Sequence, residues 1–96
     1  MADNQDDLAK RSSLYKQVTE LYQAEKFGEA IPIAQEFLEL SEKALGPDHP
    51  DTAQALNNLA ELHRSMGDYA KAEPLFQRAL QIRQKALGPN QKASPH

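Results

Sequence analysis

The residues best suited to acid–base or metal chemistry are three histidines, His49, His63 and His96. Their separations do not match the short ligand spacings of metal sites, and the absence of cysteine removes thiol nucleophiles and thiolate ligands. His63 falls among apolar residues of a helical stripe, where we expect a structural histidine rather than a general base. His49 lies between Asp48 and Asp51, and this group fits a helix-capping cluster better than a metal site.

Other catalytic patterns are missing as well. Ser12 and Ser13 lie near a helix start, without the strand–turn–helix setting that exposes a nucleophilic serine, and no glycine-rich phosphate loop occurs. The sequence therefore predicts a non-enzymatic protein with no metal and no cofactor.

Composition narrows the range of partners and locations. The 96 residues carry a net charge of −3 with no basic block longer than Lys10 and Arg11, which argues against binding to nucleic acid or to anionic membranes. No apolar run approaches the ~18 residues of a membrane span. The opening MADNQDD is acidic and unlike a secretory signal, so we expect the protein in the cytoplasm.

An internal repeat determines how the elements are arranged. The string KALGP occurs at 43–47 and again at 85–89, so Leu45 recurs as Leu87 at an offset of 42 residues. The same offset aligns Ala30 with Ala72, Pro32 with Pro74, Gln35 with Gln77 and Leu38 with Leu80. This register without gaps predicts two units, 7–47 and 48–89, and we expect residues 1–6 and 90–96 to be loose.

Each unit has the pattern of two amphipathic helices. The apolar residues of each second helix span an arc of roughly 160° at ~100° per residue, wider than a surface helix needs, so we expect this helix to pack on more than one neighbour. The apolar stripes of the first helices are Leu14, Val18, Leu21 and Tyr22 in unit one, and Ala53, Leu56, Leu59, Ala60, His63 and Met66 in unit two.

Turn residues separate the predicted helices. Gly67 and Asp68 predict a left-handed stop followed by a helix cap, whereas Glu25 and Lys26 form a weaker turn in unit one. Leu-Gly-Pro ends each second helix, and several residues of 48–52 are suitable caps for the next one. Pro32 and Pro74 fall within the first two turns of their helices, where we expect a slight bend rather than a break.

The string GPDHPDTAQALNNLAELHRSMGDYAKAEPLFQRALQIRQKALGP resembles the tetratricopeptide repeat, and its 42-residue spacing resembles the kinesin light chain subclass. The resemblance implies an all-α fold of two tandem antiparallel helical hairpins in a right-handed stack. Unit one departs from the pattern at Gln17, at the inverted pair Ala34 and Phe37, and at the missing turn glycine. The packing positions in the two units are Leu56, Leu59, Ala60, His63, Ala72, Phe76 and Ala79, with Ala30 and Phe37.

The resemblance also implies a concave groove that is lined by the first helix of each hairpin and binds a protein or an extended peptide. By matching position, the groove residues are Gln54, Asn57, Asn58, Glu61 and Arg64 in unit two, and Ser12, Tyr15, Thr19 and Tyr22 in unit one. Without the resemblance, the same residues are a polar helix face that water could simply solvate.

An alternative hypothesis is self-assembly. Stacked repeats need about three units and a polar capping helix, whereas two units are visible and no amphipathic cap follows Leu87. The predicted oligomer interface is Leu75, Leu80, Ile82 and Leu87. The sequence thus predicts an interaction module, an adaptor or scaffold that binds a peptide or forms a homodimer or higher homo-oligomer.

Overall fold

The chain forms two helical hairpins that stack side by side. The computed structural model describes residues 3–87, and within this range the helices are α1 (Asp3–Gln23), α2 (Phe27–Leu45), α3 (Pro50–Ser65) and α4 (Tyr69–Leu87). α1 packs along α2, α2 along α3 and α3 along α4. The predicted all-α fold of two tandem hairpins is confirmed.

The N-terminal helix begins earlier than the sequence predicted. α1 begins at Asp3, inside the segment 1–6 that we expected to be loose. Its first turns are held against α2 because the Asp7 carboxylate lies 3.8 Å from the Lys43 ammonium and Arg11 Nε donates to Ser41 Oγ at 2.8 Å. The predicted loose tail 90–96, with His96, lies outside the described residues.

The two hairpin turns share one backbone conformation. Gly67 has a φ of +82°, and Glu25, 42 residues earlier, has a φ of +63°. In both turns the following amide reaches back five residues: Lys26 N–H donates to the Leu21 carbonyl and Asp68 N–H to the His63 carbonyl, each at 2.8 Å. The prediction of a left-handed stop at Gly67 is therefore confirmed, and unit one makes the same turn with a glutamate.

The connection between the hairpins is fixed by hydrogen bonds of Thr52 and His49. Thr52 is fully buried, and its hydroxyl donates to the Gly46 carbonyl at 2.7 Å. His49 is the helix cap that the sequence left open: its Nδ1 accepts a hydrogen bond from the Asp51 amide at 3.0 Å. Pro50 follows at the first helical position, where its missing N–H has no cost.

Small residues let the helices approach closely in the core. Among the alanines between residues 6 and 87, seven are at most 2% exposed: Ala30, Ala34, Ala53, Ala55, Ala60, Ala72 and Ala79. Phe37 packs with Leu14 of α1 and Ala55 of α3, and its position in unit one corresponds to that of Ala79 in unit two. Leu38 packs against all three groups of buried residues in the core. α2 and α4 both continue through their prolines, Pro32 and Pro74, as predicted.

α3 is buried on two sides, which the sequence did not predict. Besides the expected stripe, Thr52, Ala55 and Leu62 are completely buried because the first hairpin covers the side of α3 that α4 does not. Met66 was placed on the apolar stripe, and this was wrong: Met66 is the capping residue that follows α3, and it is 54% exposed.

Candidate functional site

A shallow groove runs between α1 and α3, the first helices of the two hairpins. It contains two depressions, of about 200 Å³ and about 230 Å³. The first, here termed the Asn58 pocket, is lined by Tyr15, Val18, Thr19, Tyr22, Gln23, Asn58, Glu61 and Leu62. The second, the Gln54 pocket, is lined by Arg11, Ser12, Tyr15, Phe37, Asp51 and Gln54. Both volumes fall below the ~300–1,000 Å³ of small-molecule sites, so each suits a single side chain.

The tyrosines of α1 divide and border the groove. Tyr15 lines both pockets, and its ring packs against the buried ring of Phe37 with centroids 5.6 Å apart. Tyr22 packs edge-on against Phe27 at 5.4 Å. These phenylalanines of α2 support the two rings from behind, so about 40% of each tyrosine remains open to solvent at a fixed position. Held tyrosines offer contact area at a low entropic cost.

Carboxamides of α3 face the tyrosines. Gln54 Nε2 donates to the Tyr15 hydroxyl at 3.4 Å and closes the boundary between the two pockets. Asn58 lies one turn further along α3, about 6 Å along the axis. Each carboxamide can donate and accept a hydrogen bond, so α3 presents regularly spaced polar groups beside the aromatic side of the groove.

The floor of the groove is apolar. Val18 and Leu62, both buried, form the base of the Asn58 pocket. The sequence analysis missed Leu62 because the groove residues taken from the family resemblance are the polar and aromatic residues at the edges of the groove. The contact of α3 with the first hairpin buries that side chain, and only the stacking of the two units reveals it.

Charged groups lie at both ends of the groove. Arg11 reaches the Gln54 pocket with its guanidinium 5.0 Å above the Phe37 ring, and Asp51 lies across the same pocket. At the other end, the Glu61 carboxylate accepts a hydrogen bond from Arg64 at 2.7 Å, which partly neutralises it. The groove is therefore amphipathic with no strong net charge of its own.

The structure brings together most, but not all, of the predicted groove residues. Seven of the nine line a pocket: Ser12, Tyr15, Thr19, Tyr22, Gln54, Asn58 and Glu61. Asn57 and Arg64 line neither, because they lie on a neighbouring face of α3, where the Arg64 guanidinium covers the Phe76 ring at 5.7 Å. Thr19 enters the groove with its hydroxyl already donating to the Tyr15 carbonyl at 2.9 Å.

The candidate catalytic groups do not meet. His63 is 8% exposed within α3 and lines neither pocket, which fits the structural role expected of it. Ser13 Oγ accepts a hydrogen bond from Gln17 rather than from a histidine. Among the described residues there is no group of three His, Asp or Glu side chains that could hold a metal ion. No helix between residues 3 and 87 is both long and apolar enough to cross a membrane.

The stacked hairpins and the groove between their first helices agree with a comparison to known families, in which the family model described as tetratricopeptide repeat matches residues 13–85. The chain belongs to the tetratricopeptide repeat family. Tetratricopeptide repeats generally mediate protein–protein interaction and generally lack catalytic activity of their own. A search among curated proteins gave no significant match.

The predicted oligomer interface divides into two parts. Leu80 and Leu87 are 55% and 60% exposed on α4 of the second tetratricopeptide unit. Ile82 is only 2% exposed and packs against Ala53 and Leu56, so its assignment to a surface interface was wrong. Leu75 also packs towards the core. The wide apolar arc of α4 covers two sides of the helix. Ile82 and Leu75 lie on the side that faces α3, whereas Leu80 and Leu87 lie on the open side.

Proposed function

We propose that this protein binds an extended peptide segment of another protein in the groove between α1 and α3. The observation that carries the proposal is the pairing of rigid, half-exposed tyrosines with carboxamides across an apolar floor. Two adjoining pockets, each of side-chain size, suit a peptide better than a compact small molecule.

The spacing of the carboxamides supports the same occupant. Gln54 and Asn58 are one helical turn apart, about 6 Å along the axis of α3. Alternate residues of an extended chain are about 6.6–6.8 Å apart, so the two amides can each meet a backbone amide on the same edge of a peptide. Apolar peptide side chains would then alternate into the pocket above Val18 and Leu62.

Neighbouring asparagines provide a matched test. A peptide selected from a display library on the immobilised 96-residue chain should lose affinity when Asn58 becomes alanine, because its backbone group is left unpaired, a loss of about 1–3 kcal/mol. Asn57→Ala is the control, since Asn57 has a similar intermediate exposure but lines neither pocket. Titration calorimetry measures both. Equal losses, or none in Asn58→Ala, would place binding outside this groove.

A second function, self-assembly, is favoured by the open side of α4. Tyr69 is 65% exposed and lies on the same face of α4 as Leu80 and Leu87, and large apolar groups on one helix face mark an interface. Replacing Leu80 and Leu87 together by glutamate should convert an oligomer to a monomer without loss of helix. Ile82 must be left unchanged in this test, because glutamate there would be buried in the core.

We also infer that the repeats belong to the kinesin light chain subclass and that the protein acts as an adaptor in the cytoplasm. The 42-residue offset supports the subclass, because it also relates the left-handed turns at Glu25 and Gly67.

A further inference from the structure

The open side of α4 has a regular pattern of apolar and charged residues. Six residues, termed the α4 stripe, follow this side of the helix: Tyr69, Glu73, Phe76, Leu80, Arg83 and Leu87. Five of them are exposed, and Phe76 is half-buried beneath the Arg64 guanidinium, at the edge of the stripe nearest α3. Spacings that alternate between four and three keep these side chains on one seam of the helix, as in a coiled coil. Glu73 and Arg83 are both exposed, and neither forms an ion pair within residues 6–87.

We propose that the α4 stripe packs against the α4 stripe of a second copy, with the two helices antiparallel. A two-fold axis level with Arg78 relates the stripe to itself, because its members lie in pairs at equal distances on either side of that position. The pairs are Tyr69 with the partner's Leu87, Glu73 with the partner's Arg83, and Phe76 with the partner's Leu80. Each apolar residue meets an apolar residue, and each charge meets its opposite.

Charge fixes the direction of the pairing. Parallel helices in register would place Glu73 beside the partner's Glu73 and Arg83 beside the partner's Arg83, which is repulsive. Antiparallel helices turn both contacts into ion pairs, and a polar pair within an apolar seam selects register and orientation. An interface that uses the same patch twice closes as a dimer.

Head-to-tail stacking of copies is disfavoured by the opposite end of the molecule. In that arrangement α1 of one copy would cover α4 of the next, in the way that α3 covers α2 within one chain. α3 does so with the buried residues Ala55 and Leu62, but the offset of 42 places the exposed polar residues Ser13 and Glu20 at these positions of α1. This side of α1 is therefore polar and solvent-exposed, and it does not complement the apolar residues of α4.

A further repeat is also a poor occupant of the α4 stripe. In α2, the positions that correspond to Glu73 and Arg83 are Ile31, which packs on the core beside α3, and Ser41, which is fully buried. A following helix like α3 would bury both charges against apolar residues, at a high desolvation cost. The two charges therefore favour a partner with charges of its own.

Charge reversal tests the pairing, which rests on the self-assembly part of the proposed function. In analytical ultracentrifugation, the unaltered chain should be a dimer. Glu73→Arg places two arginines together in each half of the interface, and Arg83→Glu places two glutamates together. Each variant should weaken the dimer at least about tenfold. Mixed in equal amounts, the two variants should form a heterodimer, because every charge again meets its opposite.

Lys71→Glu is the control for Arg83→Glu: it makes the same change of charge on the opposite side of α4, where Lys71 pairs with Asp68 of its own chain at 3.7 Å, and it should leave the dimer unchanged. Circular dichroism should show equal helix content in all variants. A chain that stays monomeric at high micromolar concentration overturns self-assembly and this pairing together. A dimer that is lost in Leu80→Glu but persists in both charge variants supports self-assembly through α4 and overturns only the antiparallel pairing.

Discussion

Replacing Glu25 by glycine should stabilise the fold. Glu25 has a φ of +63° in the turn between α1 and α2, a conformation that a side chain makes unfavourable. The equivalent turn between α3 and α4 has Gly67 at +82° with the same hydrogen bonds. The turn of unit one thus adopts a glycine conformation without a glycine.

The size of the gain follows from two opposing terms. The left-handed conformation costs an L-residue roughly 1–2 kcal/mol, and glycine removes that penalty. Glycine also gives the unfolded chain more freedom, which offsets about 0.5–1 kcal/mol of the gain. The Glu25 side chain is exposed and forms no ion pair inside the described part of the chain, so its loss subtracts little. We expect a net gain of about 0.5–1 kcal/mol, or about 2–8 °C in Tm for a domain of this size.

Urea and thermal denaturation followed by circular dichroism measure the change, at one fixed protein concentration because assembly also shifts Tm. Glu25→Ala separates charge from conformation, since alanine keeps most of the left-handed penalty. Gly67→Glu is the reciprocal control: a Cβ there meets nothing within 4 Å, so its cost is conformational strain alone. If Glu25→Ala stabilises as much as Glu25→Gly, the charge and not the backbone limits this turn, and the reasoning fails.

Two further predictions concern stability. Ala72→Leu should overpack the crossing of α3 and α4 and lower the free energy of unfolding by about 1–3 kcal/mol. Ala70→Leu, on the exposed side of the same helix, should be nearly neutral. Equal thermal melting curves for the two variants would place the crossing elsewhere. Thr52→Val keeps the shape of a buried side chain but removes the hydrogen bond to the Gly46 carbonyl, which should cost about 1–3 kcal/mol in urea denaturation. Thr19→Val is its control, because the exposed Thr19 hydroxyl donates to the Tyr15 carbonyl of its own helix. Similar losses of stability in the two variants would show that the bond between Thr52 and Gly46 does not stabilise the connection between the hairpins.

The fold could be predicted from sequence because the same pattern occurs twice at a fixed offset of 42 residues, so a helix or turn assigned in one unit must also fit the other. The Pro-containing helices of both units and the left-handed stop at Gly67 follow from local rules that the neighbouring structure does not change. The start of α1 was harder to predict, because it depends on contacts of Asp7 and Arg11 with residues of α2 that are distant in sequence.

The groove was predicted only in part, since helical periodicity assigns a face and not a neighbour. Asn57 and Asn58 are 100° apart around α3, so one can line the groove while the other lies beside it. Ile82 and Leu80 fall in one wide apolar arc, yet the first faces α3 and the second faces solvent. Which residues of a wide apolar arc are buried can be decided only when the helix that packs on each side is known.

The position of Leu38 has a consequence for how the molecule opens. Tetratricopeptide arrays behave as chains of units coupled to their nearest neighbours, and they can fray from one end. Here Leu38 touches the buried residues of both hairpins and of the contact between them. Detaching either hairpin exposes this side chain, so the two units share one cooperative transition instead of forming separate foldons. Slowly exchanging backbone amides of α2 and α3 would therefore report global unfolding of the whole chain.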